Sequence, residues 1–239
     1  MIFKSEPENW QELQEMVGQL FKECGFLTEV SKKVSLVRGS KEIDVFVQDL
    51  SSEYKPIILI ECKFWNTAIS QETVHSFRTI VEDFGANLGF IVSKRGFQSG
   101  SFEAARNTNI RLVTLTELVE VYYSRWLRGM VAKHMPIADF LFPYWDFAGG
   151  KHPKDGQVIS WDSLMLLNQA YRPICSLGPG DQTEIGFKRN YPQKLPVIND
   201  DFQIVSWTVI NDDREYFEFI EKNQDKAIKH YKKLYREEE

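Results

Sequence analysis

The segment IILIECKFWN, residues 57–66, places two opposite charges at the end of an apolar strand. Ile57, Ile58, Leu59 and Ile60 are typical of a buried β-strand, and the charged pair E-x-K follows at residues 61–63. Burying a charge costs free energy unless the charge is paired or used. Because residues i and i+2 of a strand project from the same face, this pattern predicts a candidate site at the strand end.

The preceding segments predict an antiparallel meander that leads into this strand. Apolar residues recur at helical spacing over residues 10–24, and Gly25 is a normal helix stop. Residues 27–37 read as an edge strand, and 42–48 (EIDVFVQ) alternate apolar and polar side chains with the period of a strand. Short turns join these strands to the next one, at 57–64.

The following segments alternate between helix and strand. Ser70 can cap a helix, residues 88–93 (LGFIVS) form a strand, and residues 98–108 form a short helix. A further strand is predicted at 110–115, and Glu117 begins another helix. The order α-β-β-β-α-β-α-β-α predicts an α/β fold, a mixed central sheet flanked by helices on both faces.

The composition restricts the class of protein. The chain has 239 residues, a net charge of −5 and 43% hydrophobic residues, which is typical of a soluble globular protein. No apolar run reaches the roughly 18 residues of a membrane helix, and MIFKSEPENW has no long apolar core. We therefore expect a cytoplasmic protein without a membrane partner. The three widely spaced cysteines support neither a disulfide framework nor a zinc site.

The chain is expected to contain two domains, residues 1–130 and 131–239. Beyond about residue 135 Pro and Gly interrupt the sequence, as in FPYWDFAGGKHPKDG. A strand is predicted at 204–210 (IVSWTVI) and a charged helix from about Asp213 to the end, so the second region reads as α+β. Its motifs indicate no chemistry, and recognition, sensing and dimerisation are all open roles.

A carboxylate in the preceding strand completes the candidate site. Asp44 lies one connection before Glu61, and residues on one face of an antiparallel pair come within several ångströms. Two carboxylates can hold Mg²⁺, which prefers oxygen ligands, and Mn²⁺ is expected to substitute for it. Lys63 could orient a water molecule and stabilise a developing anion. The trio therefore suits phosphodiester hydrolysis.

The E-x-K spacing alone has a competing explanation. Glu53-Tyr54-Lys55 has the same spacing, but it lies in a polar connection where a solvated pair is expected. Only the pair at 61 and 63 has an apolar strand before it, an aspartate upstream and a helix after it. A simple ion pair at a strand end stays open as an alternative.

Three segments give the chain a family resemblance. GSKEIDVFV, IILIECKFWN and TVHSFRTIVEDFGANLGFIVSKRGF resemble the Mrr-like branch of the PD-(D/E)xK restriction-endonuclease superfamily, over about residues 8–120. The resemblance implies a restriction-endonuclease-like fold and metal-dependent DNA cleavage, usually in defence against foreign or modified DNA. It also implies that Asp44 and Glu61 bind the metal and that Lys63 is the catalytic lysine.

The chain departs from this family in three places. Many Mrr-like members carry glutamine where this chain has Glu61, the acid that is commoner in the superfamily. Members often carry a glutamate in the first helix, where this chain has Gln14, so Glu15 is a possible accessory residue. Many members also have glycines before the first aspartate, where Lys41-Glu42-Ile43 stands here. The local approach to DNA is therefore expected to differ.

Further residues are candidates for contacts around the site. Gln71, at the start of a helix, is a possible accessory residue, and Trp65 is expected to pack in the core or at its rim. Four cations are candidates for the DNA backbone, since they flank the predicted site strands: Arg38, Lys41, Lys94 and Arg95.

The sequence leads to one hypothesis and several alternatives. We expect a Mg²⁺-dependent endonuclease that acts on DNA, and a homodimer because cutting two strands usually needs two active sites. A non-catalytic binding module on the same fold is the first alternative, consistent with an acidic balance in both halves of the chain. The second is an RNA nuclease or a junction resolvase.

Overall fold

The computed structural model describes most of the chain as two compact units. The described residues are 2–37, 39–146, 151–156, 158–177 and 189–237. One unit comprises Phe3–Gly129, and the other comprises Met130–Glu239 with Met1–Ile2. They are called the N-terminal unit and the C-terminal unit below. Arg38, one of the predicted backbone contacts, lies outside the described residues.

The N-terminal unit contains the predicted mixed sheet. Its elements are α1 (Trp10–Glu23), β1 (Leu27–Leu36), β2 (Gly39–Gln48), β3 (Ile57–Lys63), α2 (Gln71–Phe84), β4 (Leu88–Ser93), α3 (Ser99–Ala105), β5 (Ile110–Val113) and the start of α4 (Leu115–Trp145). The strand order is β1-β2-β3-β4-β5. Neighbours are antiparallel from β1 to β3 and parallel from β3 to β5. The predicted meander and the mixed sheet are confirmed, and β3 is the central strand.

Helix α2 covers one face of this sheet. Its buried residues Val74, Phe77 and Val81 recur at helical spacing, and they join a core cluster with Leu59 and Ile91 of the sheet. Burying each such apolar side chain contributes about 1.5–3 kcal/mol. The α2 helix therefore fixes the face of β3 from which Leu59, and two residues later Glu61, project.

Helices α1 and α4 cover the opposite face. The Phe21 ring of α1 lies 4.6 Å from the Tyr122 ring of α4, which in turn lies 6.1 Å from Phe90 of β4. The indole N–H of Trp126 donates to the Glu23 carboxylate at 2.6 Å. Helices therefore flank both faces, as the element order predicts. Cys62 is 7% exposed and belongs to the buried core, as expected from its alternation with Glu61.

Helix α4 continues well past the change in composition near residue 135. It includes Pro136 and Pro143, although an internal proline removes a backbone hydrogen bond and disfavours a helix. Ala138, Leu141 and Tyr144 are buried at helical spacing, so packing offsets the cost of the prolines. Among the described helices, α4 included, we find none whose length and apolar character would let it span a bilayer.

The C-terminal unit combines helices with a small sheet. Its remaining elements are α5 (Trp161–Ala170), α6 (Arg172–Cys175), β6 (Gln193–Ile198), β7 (Ile204–Ile210) and α7 (Asp213–Leu234). Strands β6 and β7 pair antiparallel. Strand β7 and helix α7 match the sequence predictions, whereas α5, α6 and β6 were not identified from the sequence. Helix α7 begins at an Asp212 cap whose carboxylate accepts from the Glu215 N–H at 3.0 Å.

The close contact between α1 and α4 predicts that one methyl group added at Gly129 destabilises the protein. A Cβ atom at Gly129 would lie 2.0 Å from the backbone oxygen of Glu23. Helix propensity alone makes Gly129→Ala stabilising by about 1 kcal/mol. We expect it instead to lower the free energy of unfolding by about 1–3 kcal/mol, because backbone cannot move aside as a side chain can. Urea unfolding measures the difference.

Gly100→Ala is the matched control for this substitution. Its new methyl group would meet only the end of the Gln71 side chain, 2.9 Å away at the amide oxygen, and this side chain can rotate. We expect a change within about 0.5 kcal/mol. Equal stabilities for Gly129→Ala and the wild type would show that the helices do not approach as closely as described.

Candidate active site

The charged residues of IILIECKFWN stand at the carboxyl end of the central strand. Glu61 is only 8% exposed, and its carboxylate forms an ion pair with the Lys63 ammonium. The last antiparallel pair between β2 and β3 is Val45 with Ile60. Asp44 and Glu61 are the next residues on the two strands, so the carboxylates lie where the strands begin to separate.

A backbone hydrogen bond fixes Asp44 at this point. The Cys62 N–H donates to the Asp44 carboxylate at 2.7 Å. The donor amide belongs to the residue between Glu61 and Lys63, so Asp44 is attached to the segment that carries both charges. The structure thus brings together the three residues that the sequence selected, through one side chain-to-backbone hydrogen bond and one ion pair.

The electrostatics of the site disfavour two bare carboxylates. Burial, and then the neighbouring Glu61 charge, raise the pKa of Asp44 from 3.8 to about 6. The Cys62 hydrogen bond and the Lys63 charge act in the opposite direction but are weaker. One Glu61 oxygen, Oε2, is buried and has no hydrogen-bond partner among the described residues. An unpartnered buried carboxylate oxygen beside a second acid is costly unless a cation satisfies it.

These residues fit a divalent cation. Asp44 and Glu61 would supply two oxygen ligands, and hard cations such as Mg²⁺ prefer oxygen. No group of three or more His, Cys, Asp or Glu side chains suited to a metal occurs among the described residues. Water and substrate oxygens would therefore complete the coordination, which is the usual arrangement for Mg²⁺ at phosphate sites.

The accessory residues proposed from the sequence, Glu15 and Gln71, are both exposed. Glu15 is on the exposed face of α1, whereas Gln14, its neighbour, is only 7% exposed. Gln71 is exposed at the start of α2, and its amide oxygen lies close to Gly100 of α3. No hydrogen bond among the described residues joins Glu15 or Gln71 to the three charged residues.

The cations after β4 lie next to the site strand. The Lys94 N–H donates to the Lys63 carbonyl at 3.0 Å, which continues the parallel pairing of β4 with β3. The Lys94 ammonium lies 3.8 Å from the centre of the Phe64 ring. Lys94 and Arg95 are exposed, as is Lys41 on β2. The parallel topology therefore places two cations beside the end of β3.

The structure shows a further aromatic residue at the site. Trp65 is 47% exposed, and its ring lies 5.2 Å from the Lys63 ammonium. We expected this tryptophan to pack in the core or at its rim, and the observed exposure is that of a rim position. Its place two residues after Lys63 was the one signal that could have identified it as a site residue.

The raised pKa of Asp44 predicts a pH-dependent gain in stability for Asp44→Asn. The folded protein holds the proton up to about pH 6, while the unfolded chain loses it near 3.8. The wild type therefore loses stability as pH rises through this window. In EDTA at pH 7.5 we expect Asp44→Asn to be more stable by about 1–2 kcal/mol, after allowance for partial exposure, with the gain fading towards pH 4. Urea unfolding at both pH values measures it.

Asp49→Asn is the matched control for this prediction. The hydrogen bond from Ser51 lowers the pKa of Asp49, so loss of that charge should destabilise the protein at pH 7.5. A gain of stability in both variants, or one that is independent of pH, would contradict the assigned environment of Asp44.

One comparison with known proteins covers most of the N-terminal unit. A family model described as "Restriction endonuclease" matches residues 6–122. No curated protein sequence matches the chain. The chain also has low similarity to several solved structures.

A protein of unknown function, AF1548, is 20% identical over 68% of this chain and 78% of its own, with a TM-score of 0.40. MspJI restriction endonuclease in complex with a 27-mer oligonucleotide is 15% identical over 52% of this chain and 29% of its own, with a TM-score of 0.34. The DNA modification-dependent restriction endonuclease AspBHI is 11% identical over 52% of this chain and 39% of its own, with a TM-score of 0.26.

The family model covers α1, all five strands of the sheet and the residues Asp44, Glu61 and Lys63. It ends inside α4. Residues 6–122 therefore form a domain of the Mrr-like restriction endonuclease family.

Proposed function

We propose that this protein is a Mg²⁺-dependent endonuclease that hydrolyses DNA phosphodiester bonds, in restriction of foreign DNA. The observation that carries the proposal is the buried Glu61 carboxylate, with one unpartnered oxygen beside Asp44 and an ion pair to Lys63. Its membership of a restriction endonuclease family supports the reaction class. The name of MspJI in complex with an oligonucleotide is in keeping with DNA as substrate.

The three residues have two kinds of role in the proposed reaction. Asp44 and Glu61 hold the cation, and the Cys62 N–H keeps Asp44 in place. When bound, the cation stabilises charge on the scissile phosphate and acidifies a water ligand. Lys63 orients the attacking water and stabilises the anion that develops, since its ammonium already lies at the Glu61 carboxylate. Lys41, Lys94 and Arg95 contact backbone phosphates.

The C-terminal unit is proposed to serve recognition, sensing or dimerisation. Its strand β7 exposes Val205, Trp207 and Val209, at 60%, 49% and 48%. Exposed aromatic and apolar side chains of this kind are typical of binding surfaces. We also propose that two copies of the chain act together, because a double-strand break requires hydrolysis of two phosphodiester bonds.

Alanine substitutions test the three roles. Asp44→Ala, Glu61→Ala and Lys63→Ala should each slow Mg²⁺-dependent plasmid cleavage by about 100-fold or more, because each removes a group needed in the transition state. Thermal unfolding establishes that each variant is folded. Glu53→Ala is the matched control, since Glu53 has the same E-x-K spacing but is exposed in the connection before β3. Full activity in any of the three variants would overturn the assignment.

Metal binding has its own test, which does not depend on the choice of nucleic acid. Calorimetric titration should show Mg²⁺ and Mn²⁺ binding to the wild type and no binding to Glu61→Ala. The affinity should fall as the pH is lowered through about 6, because Asp44 must lose its proton to act as a ligand.

The alternatives predict other combinations of these results. Metal binding without plasmid cleavage would favour RNA, a branched junction or modified DNA as the substrate. No metal binding, with DNA present as well as without it, would favour a non-catalytic binding module and reduce Glu61 and Lys63 to an ion pair.

A further inference from the structure

The N-terminal unit contains a cleft with no part in holding the cation, although two of its lining residues, Lys94 and Arg95, are proposed contacts to backbone phosphates. Its volume is about 450 Å³, and it lies where β4 and β5 end and α4 begins. Lining residues come from the segment before α1, from α1 itself, and from the ends of three strands. A volume of this size falls within the roughly 300–1,000 Å³ of sites that bind small organic molecules.

The cleft is cationic on one part of its surface. Lys94 and Arg95 line it, both are exposed, and neither forms an ion pair with any residue that the structure describes. Leu115 and Thr116 also line it, and their N–H groups belong to the first turn of α4, which has no earlier helical carbonyl to bond. These groups together favour an anion.

Another part of the cleft is apolar. Leu13, Phe64 and Leu115 contribute to its walls, and the Phe64 ring carries the Lys94 ammonium 3.8 Å from its centre. A ligand with an anionic group and a flat ring matches this combination, since bases stack on aromatic side chains while cations hold the phosphate.

A hydrogen bond connects a residue that lines the cleft to a residue of the candidate active site. The Lys94 N–H donates to the carbonyl of Lys63 at 3.0 Å, and Phe64 directly follows Lys63 in the chain. A nucleotide held by Lys94 would therefore belong to the same stretch of DNA as a phosphate at Lys63.

We propose that this cleft binds a single unpaired nucleotide of the DNA substrate, with its phosphate on Lys94 and Arg95 and its base against Phe64. The proposal rests on the proposed function, and it adds a preference for DNA that is interrupted beside the cut. An unpaired nucleotide is required because the faces of a paired base are covered by its neighbours in the stack.

Glu6 gives the cleft a preference among bases. It supplies the carboxylate among the described lining residues, and a carboxylate accepts hydrogen bonds but cannot donate them. Cytosine offers an exocyclic amino group to such an acceptor, whereas thymine offers a carbonyl at the same position. An unpaired dC should therefore bind more tightly than an unpaired dT.

Fluorescence anisotropy with three DNA probes tests the proposal. The probes are a paired duplex, the same duplex with one bulged dC, and the same duplex with one bulged dT, bound in Mg²⁺ to Lys63→Ala protein so that they stay uncut. We expect the dC bulge to bind about tenfold more tightly than the paired duplex. The dT bulge should bind at least about fivefold more weakly than dC, and Glu6→Ala should remove this difference.

Two further variants locate the preference in the cleft. The double substitution Lys94→Ala with Arg95→Ala removes the cations, and Thr116→Trp fills the cleft while it leaves them in place. Each should abolish the preference for the bulge. Arg106→Ala, which removes an exposed arginine that does not line the cleft, should keep it. Thermal unfolding shows which variants are folded. If Thr116→Trp does not fold, the result for the double substitution alone tests whether the preference arises in the cleft.

The outcomes separate this inference from the proposed function. Equal binding of bulged and paired DNA, or a preference that survives the double substitution, would overturn the inference alone if wild-type protein still cuts plasmid in a Lys63-dependent manner. Neither cutting nor binding of any probe would overturn the proposed function and the inference with it. If the bulged probe is preferred but wild-type protein does not cut DNA, the result would support nucleotide binding in the cleft and contradict the proposed nuclease activity.

Discussion

The carboxyl groups of Asp44 and Glu61 lie together at a buried strand end, and their mutual repulsion is the main constraint on this domain. Asp44 is held by the Cys62 amide, and Glu61 is held by Lys63. Neither contact removes the repulsion between the two acids. The pKa of Asp44 stays near 6, and within the described part of the chain one Glu61 oxygen has no hydrogen-bond partner. The surrounding core must therefore be stable enough to keep two desolvated carboxylates in place.

The central strand supplies that stability through its apolar half. Leu59 and Ile60 are fully buried between the helical layers, and each faces a different side of the sheet. The same alternation then directs Cys62 into the core and Glu61 and Lys63 to the other face. A shift of one residue in the register would exchange these faces, so the packing of the apolar residues determines where the charges lie.

Local patterns were sufficient to predict the sheet and the three charged residues, but not their surroundings. The period of two in β2 and the apolar run of β3 are properties of short segments, and so is the E-x-K spacing. Helix α4 was not predicted beyond residue 135, because its prolines disfavour a helix locally and only tertiary burial of Leu141 and Tyr144 offsets them. The exposure of Trp65 likewise depends on neighbours that no pattern specifies.

The cleft could not be predicted from the sequence for a related reason. Its residues come from several separate segments, and none of them forms a motif by itself. Their meeting follows from the parallel pairing of β3, β4 and β5, because parallel strands end at the same edge of a sheet. The loop after β4 must then leave beside the end of β3, and any cations that it carries come next to Lys63. The topology that completes the apolar core thus also decides which charges surround the candidate active site.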